Sequence, residues 1–361
     1  MASISDTGLK SSTISYPKRQ LGRNGPFVSA LGLGTMGIGA WYGTPLPDAE
    51  AFTLLDSAAD RGVAFWDCAD VYGSAEATLG RWFAKTGRRA DIFLATKFGA
   101  FNLARGYAPG TPNLPDSSPS YIRTAVARSL AQLDTDYIDL YYQHRVDPTV
   151  PIEVVMETLR PFVEQGKIRW LGLSECSAET LRRAKAVEGV GEKLIAVQME
   201  YSPFTLDIEK NGFADVAKEL GVSVVAYSPL ARGMVTGKQR SRADFEPTDI
   251  RLHLPRWSEA NFPKNLVVVD KLTALAARYD STSSQVALAW ILAEHPDWVA
   301  IPGSRDPKRL EENARGAELQ LSPEAIKEIR QLTEDADISG GRHTLTVEGM
   351  CIPRKDWKGE Q

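Results

Sequence analysis

Short apolar runs alternate with amphipathic segments along most of this chain. After residue 28, eight runs rich in Val, Ile, Leu, Phe and Tyr predict strands, and segments with a helical pattern lie between them. The predicted strands are residues 30–34, 63–67, 92–97, 137–144, 168–174, 194–200, 222–228 and 298–303. Near-continuous apolar strands that alternate with helices are typical of a parallel sheet. A (β/α)₈ barrel and a doubly wound sheet both fit this alternation, and eight repeats in 361 residues favour the barrel.

Helix start and stop signals lie between these strands. An amphipathic segment begins at Asp48, and Gly62 stands where a helix needs a left-handed cap. Ser118 is placed as an N-cap, with Pro119 as the first helical residue. Residues 283–295 predict a further helix, which is buried because its sequence is largely apolar.

The pattern predicts one barrel domain with flanking segments. Residues 19–29 predict a β-hairpin around an Asn-Gly turn, which is placed to plug the N-terminal end of the barrel. The predicted organisation is a disordered leader over residues 1–15, a single (β/α)₈ barrel domain over 16–334, and a C-terminal tail over 335–361 as a candidate to close over the substrate site.

Two connections within the predicted barrel domain are longer than ordinary loops. Residues 98–118 and 228–263 both follow predicted strands. In a barrel, such loops lie on the C-terminal rim, where barrel enzymes have their active sites. Long loops in a compact domain are usually functional, so both segments are candidates to surround a site.

Composition excludes several classes of protein. The formal net charge of −4 argues against a partner that is a nucleic acid or a membrane surface. The apolar runs are too short to span a bilayer, and the N-terminal residues lack the apolar core of a secretory signal. The three cysteines are odd in number and far apart, as in a reducing compartment, so we expect a cytoplasmic protein. The four histidines form no metal-binding motif, so we expect no metal centre.

Residues 32–37, GLGTMG, match the G-x-G-x-x-G pattern of dinucleotide-binding folds. In those folds, the glycine segment follows a strand and opens a helix at once. Here two prolines, two glycines and bulky aromatic residues follow instead, which is typical of a loop. The motif therefore does not predict a Rossmann unit, and a dinucleotide would have to bind by another route.

Polar residues at the ends of three successive predicted strands point to a specific chemistry. They are Asp67, Tyr72 in the following loop, Lys97 and His144. We expect Lys97, held by Asp67, to lower the pKa of the phenol from about 10. Tyr72 can then donate a proton to a carbonyl oxygen as hydride reaches the carbon, and a neutral His144 can orient that oxygen. Each residue alone has an ordinary structural explanation, but the joint pattern is specific.

The chain from Arg19 to about residue 334 resembles the aldo-keto reductase superfamily. The motifs that carry the resemblance are VSALGLGTMG, FWDCADVYG, LATKFG, QHRVDP, GLSECS, QMEYSPF, AYSPLARG and IPGSRDPKRLEEN, in this order. QHRVDP and GLSECS are more similar to the microbial and plant branches than to the mammalian steroid-reducing ones. The resemblance implies NADP(H) extended across the rim, and Tyr72 as the general acid of a tetrad with Asp67, Lys97 and His144.

The resemblance also implies which residues hold the cofactor. Gly34, Thr35 and Met36 would line the nicotinamide side, Ser174, Glu175 and Gln198 would hold the carboxamide, and Tyr227 would stack on the ring. The expected pyrophosphate residues are Ser228, Leu230, Arg232, Gly233 and Lys238. The strand leads through Gly303 to a helix start, where Ser304, Arg305 and Arg309, with Lys308 nearby, would meet the 2′-phosphate, and Glu312 and Asn313 would face adenine. Many relatives carry Asn at the position of Glu175. The cationic cluster predicts NADPH rather than NADH.

Aromatic residues near one polar anchor predict a pocket for an aldehyde or ketone. The pocket candidates are Trp41, Tyr42, Phe98, Arg145 and Trp257 beside His144, with Met350, Cys351 or Trp357 from the tail. We expect a monomer or weak homo-oligomer. The main alternative is a redox-sensing regulatory subunit, similar to the potassium-channel β-subunits of the same superfamily, which also keep the tetrad. A metal-dependent barrel hydrolase lacks ligands in this sequence.

Overall fold

The computed structural model describes residues 16–40, 42–105, 114–247, 249–342 and 349–360. The expected leader, residues 1–15, lies outside the described residues, as do the candidate pocket residue Trp41 and residues 343–348 of the tail.

Eight parallel strands form a closed barrel. Two further strands form an antiparallel hairpin, and the strands of the described chain are β1 (Lys18–Gln20), β2 (Phe27–Ser29), β3 (Leu33–Gly34), β4 (Phe65–Asp67), β5 (Phe93–Phe98), β6 (Ile138–Gln143), β7 (Ile168–Ser174), β8 (Leu194–Glu200), β9 (Ser223–Tyr227) and β10 (Val299–Ile301). Each barrel strand pairs with the next along the chain from β3 to β10. Parallel bridges Leu31–Ala300 and Gly34–Gly303 join the two ends of the sheet. The predicted (β/α)₈ barrel is therefore confirmed, and the doubly wound alternative is excluded.

At least one helix lies between successive barrel strands. The α-helices of the described residues are α1 (Met36–Gly39), α2 (Asp48–Arg61), α3 (Ala75–Thr86), α4 (Pro119–Gln132), α5 (Ile152–Glu164), α6 (Ala178–Lys185), α7 (Asp207–Lys210), α8 (Phe213–Glu219), α9 (Phe262–Ala277), α10 (Ser283–Glu294), α11 (Pro307–Gly316) and α12 (Pro323–Glu334). Short 3₁₀ helices of the rim segment after β9 cover Ala231–Thr236, Arg242–Asp244, Ile250–His253 and Pro255–Trp257. None of the described helices is long and apolar enough to cross a membrane.

The helix signals correspond closely to the observed ends. Helix α2 begins at Asp48 and ends before Gly62, whose φ of 82° is the expected left-handed cap. Helix α4 begins at Pro119 as predicted, but its N-cap side chain acts differently. The Ser118 hydroxyl donates to Asp116 Oδ1 at 2.7 Å and does not accept from a helix N–H. A nearby carboxylate therefore competes with the helix for this hydroxyl.

The hairpin closes the N-terminal end of the barrel, as the sequence predicts. Leu21 and Val28 pack in one apolar cluster with side chains from β4, β5, β6, β8, β9 and β10. The turn differs from the prediction, because Gly22, with a φ of 73°, takes the left-handed conformation rather than Asn24 or Gly25. Since side chains fill this end, the accessible mouth of the barrel is at the C-terminal ends of the strands.

The GLGTMG segment covers β3 and the start of α1. Helix α1 is a single turn, which the sequence analysis did not predict, and the first long helix starts only at Asp48. No long helix opens directly after β3, so this is not the strand–helix arrangement of a Rossmann unit.

The described part of the tail after residue 348 runs along the C-terminal side of the barrel. The Gly349 carbonyl accepts from the backbone N–H of Ser177 at 2.9 Å. Arg183 of α6 donates to the carbonyls of Cys351 at 3.1 Å and Ile352 at 2.8 Å. The Ile352 N–H donates to the Pro148 carbonyl at 3.1 Å, so the tail lies beside the loops that follow β6 and β7.

Candidate active site

Three successive barrel strands bring the predicted tetrad together. Asp67 ends β4, Lys97 lies near the end of β5, and His144 follows β6. Lys97 Nζ donates to Asp67 Oδ1 at 2.5 Å and to the Cys68 carbonyl at 2.7 Å. It also lies 3.5 Å from the Tyr72 hydroxyl. The residues that sequence reasoning selected therefore share one site at the mouth of the barrel.

Asp67 and Lys97 form a buried ion pair, with side chains that are 3% and 0% exposed. Burial raises the pKa of Asp67, and this rise is opposed by Lys97 and by Gln198, whose amide donates to Oδ2 at 2.7 Å. Burial by itself would lower the pKa of Lys97, but Asp67 and Tyr72 hold it above its ordinary value. The lysine therefore stays a cation within reach of the phenol.

The Tyr72 phenol is less acidic than the sequence predicts. Burial raises its pKa, and Asp67 adds to the rise, whereas Lys97 lowers it only in part. The expected net fall of this pKa below 10 is therefore wrong for this structure. A neutral phenol is nevertheless the form that donates a proton, and the lysine charge would stabilise the phenolate that donation leaves.

His144 lies edge-on to Tyr72, with ring centroids 5.8 Å apart. Burial lowers the pKa of His144 well below its ordinary value, and the charges of Arg145 and Lys97 lower it further. Its Nδ1 is buried and has no hydrogen-bond partner among the described residues. The expected neutral imidazole is thus the favoured form, and it can hydrogen-bond a polar group placed beside Tyr72.

Two contacts fix the loop that carries Tyr72. A Cβ at Gly39 would lie 2.1 Å from the Tyr72 carbonyl oxygen, so only glycine allows this approach. Arg128 of α4 donates to Asp70 at 2.6 Å, and the Asp70 side chain is fully buried. Burial, with a contribution from Glu76, raises the pKa of Asp70 to about 7. The sequence analysis missed this ion pair, although FWDCADVYG contains a second acidic residue.

The ends of β7, β8 and β9 form another side of the mouth. Ser174 and Gln198 are paired in the sheet register, and the Glu175 N–H donates to the Gln198 carbonyl at 3.1 Å. The Tyr227 hydroxyl is buried, and within the part of the chain that the structure describes it lacks a hydrogen-bond partner. Arg342 of the tail forms an ion pair with Glu175 at 3.1 Å. Arg342 was not predicted from the sequence, because it lies in a segment without a recognisable motif.

The segment after β9 has an unusual backbone. Ser228, Ala231 and Arg232 have φ angles of 49°, 49° and 55°, and Gly233 has a φ of 91°. Non-glycine residues rarely adopt the left-handed region, and such strain is concentrated at ligand sites. Lys238 lies exposed at the end of this segment. The predicted pyrophosphate residues therefore share one strained stretch of the rim.

Arg305, a predicted phosphate residue, is committed to backbone contacts in this structure. Its Nη1 donates to the carbonyls of Gly37 at 2.9 Å and Tyr42 at 2.7 Å, and its Nη2 donates to Thr44 at 2.8 Å. These bonds tie the loop after β3 to the segment after β10. Arg305 therefore stabilises the loop after β3. The more exposed cations of this region lie further along the chain.

Those cations are Lys308 and Arg309, which are exposed in the first turn of α11. Asp306 caps the helix by accepting from the Arg309 N–H at 3.0 Å. Ser304 is buried before the helix, and Asn313 is buried on it. The predicted 2′-phosphate residues thus lie at the start of α11. The predicted adenine residues, Glu312 and Asn313, lie in its second turn.

The predicted pocket residues fall into two groups. Tyr42 and Arg145 are half-buried, and Arg145 Nη1 lies 3.3 Å from Ser174 Oγ. Phe98 is fully buried and stacks on Tyr141 with ring centroids 5.1 Å apart, while Trp257 is 2% exposed. Both belong to the main apolar core, so they present no surface to a ligand in this structure.

Comparisons with known proteins agree with this geometry. Residues 30–334 match the model of the Aldo/keto reductase family. Aldo-keto reductase str7 of Strobilurus tenacellus and the NADP(+)-named aldo-keto reductase yakc of Schizosaccharomyces pombe are 45% and 43% identical over 334 residues, each covering 91% of this chain and 95% of the relative. A crystal structure of a thermostable aldo-keto reductase with the inhibitor epalrestat is similar, with a TM-score of 0.69 at 28% identity over 88% of this chain and 99% of that one. This chain belongs to the aldo/keto reductase family.

Proposed function

We propose that this chain is an NADPH-dependent carbonyl reductase that converts an aldehyde or ketone to an alcohol. The observation that carries the proposal is Lys97 Nζ, which lies 3.5 Å from the Tyr72 hydroxyl and 2.5 Å from Asp67 at the barrel mouth. A bound NADPH would supply the hydride. Tyr72 would donate the proton to the carbonyl oxygen, and the neutral His144 would orient that oxygen by a hydrogen bond.

The rim residues fit a dinucleotide. Tyr227 has a buried hydroxyl that no other described residue hydrogen-bonds, and the left-handed backbone at Arg232 suits the close approach of an anion. Ser174, Glu175 and Gln198 would hold the carboxamide. A 2′-phosphate carries close to two negative charges, so the exposed Lys308 and Arg309 at a helix start support NADPH rather than NADH.

The direct test supplies NADPH and NADH side by side with a panel of aliphatic aldehydes, aromatic aldehydes and ketones. We expect repeated turnover with NADPH, which is measured as the decrease in NADPH absorbance. We also expect tryptophan fluorescence to show tighter binding of NADPH than of NADH. Equal affinity for the two cofactors would contradict the 2′-phosphate assignment. Retained cofactor with at most one slow turnover would favour a redox-sensing regulatory subunit instead.

Arg309→Gln is expected to weaken NADPH binding about 10- to 100-fold, the range typical for the loss of a hydrogen bond to a charged group. NADH binding should change little, because NADH lacks the 2′-phosphate. Arg315→Gln is the matched control, since Arg315 lies exposed on the same helix and pairs with Glu311 at 2.9 Å. An equal loss of NADPH and NADH affinity in Arg309→Gln would contradict the assignment.

A further inference from the structure

A tail residue, Arg342, lies against the carboxylates at the ends of β7 and β8. Its guanidinium lies 3.1 Å from Glu175 Oε2, 3.3 Å from Glu175 Oε1 and 3.8 Å from Glu200 Oε2. The side chain of Arg342 is 24% exposed, while those of Glu175 and Glu200 are 13% and 3% exposed. The tail therefore places a cation where the barrel itself places two buried carboxylates.

These two carboxylates need positive charge nearby. The backbone N–H of Glu200 donates to Glu175 Oε1 at 3.1 Å, which keeps the two residues together. Arg256 lies 3.7 Å from Glu200, so Glu200 has a second cation besides Arg342. Burial acts to raise the pKa of Glu175, but the charges of Arg342 and Arg145 hold this pKa below its ordinary value. Glu175 is thus a largely buried anion whose main direct counter-ion comes from the tail.

The ion pair lies beside the residues that the proposed function assigns to the nicotinamide end. Glu175 directly follows Ser174 and is bonded through its N–H to the Gln198 carbonyl. The Tyr227 phenol also lies within electrostatic reach of Glu175 and Arg342. A neutral amide at position 175 would need no counter-ion. A carboxylate there, if uncompensated, would favour the oxidised nicotinamide ring, which carries a positive charge, over the neutral reduced ring.

We propose that Arg342 is a positioning residue of the cofactor site: it holds and neutralises Glu175, so that the site does not favour NADP⁺ over NADPH. The inference rests on the proposed function and deepens it, because it makes the C-terminal tail part of the cofactor site. It also explains how this chain accommodates a carboxylate directly after Ser174, at the end of β7.

The test measures the dissociation constants of NADPH and NADP⁺, by tryptophan fluorescence, for the wild type, Arg342→Gln, Glu175→Gln and the double variant. In Arg342→Gln we expect the preference to shift toward NADP⁺ about three- to tenfold, the effect of one unit charge that water at the open rim largely screens. In the Glu175→Gln background, the same arginine substitution should leave the NADP⁺/NADPH ratio nearly unchanged. Arg342→Lys should keep the wild-type ratio, because it preserves the charge.

Arg183→Gln is the matched control for loosening of the tail. Arg183 pairs with Glu153 at 2.9 Å and donates to two tail carbonyls, whereas the ion pair with Glu175 is formed by Arg342. We expect this variant to make the tail more sensitive to limited proteolysis without a change in the NADP⁺/NADPH ratio. Thermal unfolding of every variant checks that each is folded.

An unchanged ratio in folded Arg342→Gln, or the same shift with and without the Glu175 charge, would overturn the inference. Tighter binding of both cofactors in Arg342→Gln would also overturn it, because the tail would then obstruct the site. If the wild type binds NADPH and reduces an aldehyde while the ratio stays fixed, only this inference fails. If the wild type binds neither cofactor, the proposed function fails and this inference fails with it.

Discussion

Tyr72→Phe is expected to lower kcat by about 10²- to 10⁴-fold, the contribution typical of a general acid, while NADPH affinity stays almost unchanged. The substitution removes only the hydroxyl that lies 3.5 Å from Lys97 Nζ and keeps the ring that packs beside His144. Single-turnover reduction of a reactive aldehyde, with fluorescence titration of NADPH, separates the chemical step from binding.

Tyr279→Phe is the control for the Tyr72 prediction. Its hydroxyl lies 3.4 Å from Ser322 Oγ, away from the tetrad, so this variant should keep wild-type turnover. If Tyr72→Phe reduces the aldehyde at the parent rate, another group donates the proton, and the assigned role of the tyrosine is wrong. A large loss of NADPH affinity would instead mean that the phenol binds the cofactor.

The barrel could be predicted because its central strands are buried on both faces. The predicted strands 168–174 and 194–200 coincide with β7 and β8 to the residue. At the closure of the barrel the pairing is sparser, so β3 covers only Leu33–Gly34 although apolar residues begin at 30. The four-residue helix α1 was missed, because one turn is too short to show a helical period.

The tetrad could be predicted because a parallel barrel brings the C-terminal ends of its strands together whatever their side chains are. The burial of Phe98 could also have been predicted, since successive side chains of a strand point to opposite faces. Lys97 lies at the mouth, so Phe98 points to the helix layer, where it stacks on Tyr141. The direction of the Tyr72 pKa shift could not be predicted from the sequence, because it depends on how deeply the phenol is buried in the fold.

The contact of Arg342 with Glu175 could not be predicted by pattern. The tail has no period that would assign it to an element, and 167 positions separate the two residues. What the sequence does show is a carboxylate at position 175, directly after Ser174 at the end of β7. A buried charge of this kind implies a partner of opposite sign, but only the fold identifies that partner.

The second large effect concerns the stability of the barrel. Lys97→Met and Asp67→Asn are each expected to lower the free energy of unfolding by about 3–5 kcal/mol, because either substitution leaves one buried charge without its partner. The double variant should be more stable than either single variant, since a fully neutral pair requires no buried charge. It should nevertheless remain inactive, because the phenol then lacks its cation.

The pH dependence of Lys97→Met distinguishes lost charge pairing from lost packing. Without the lysine, the Gln198 hydrogen bond still opposes the effect of burial but does not cancel it, so the pKa of Asp67 in the folded chain lies above the value in the unfolded chain. The native state then binds the extra proton, and the destabilisation should shrink as the pH falls through the folded pKa. Urea unfolding at pH 8 and pH 5 measures this, with Lys18→Met, an exposed position on β1, as the control. A pH-independent loss, or a double variant as unstable as the sum of the single losses, would mean that the side chains stabilise the barrel by packing rather than by charge.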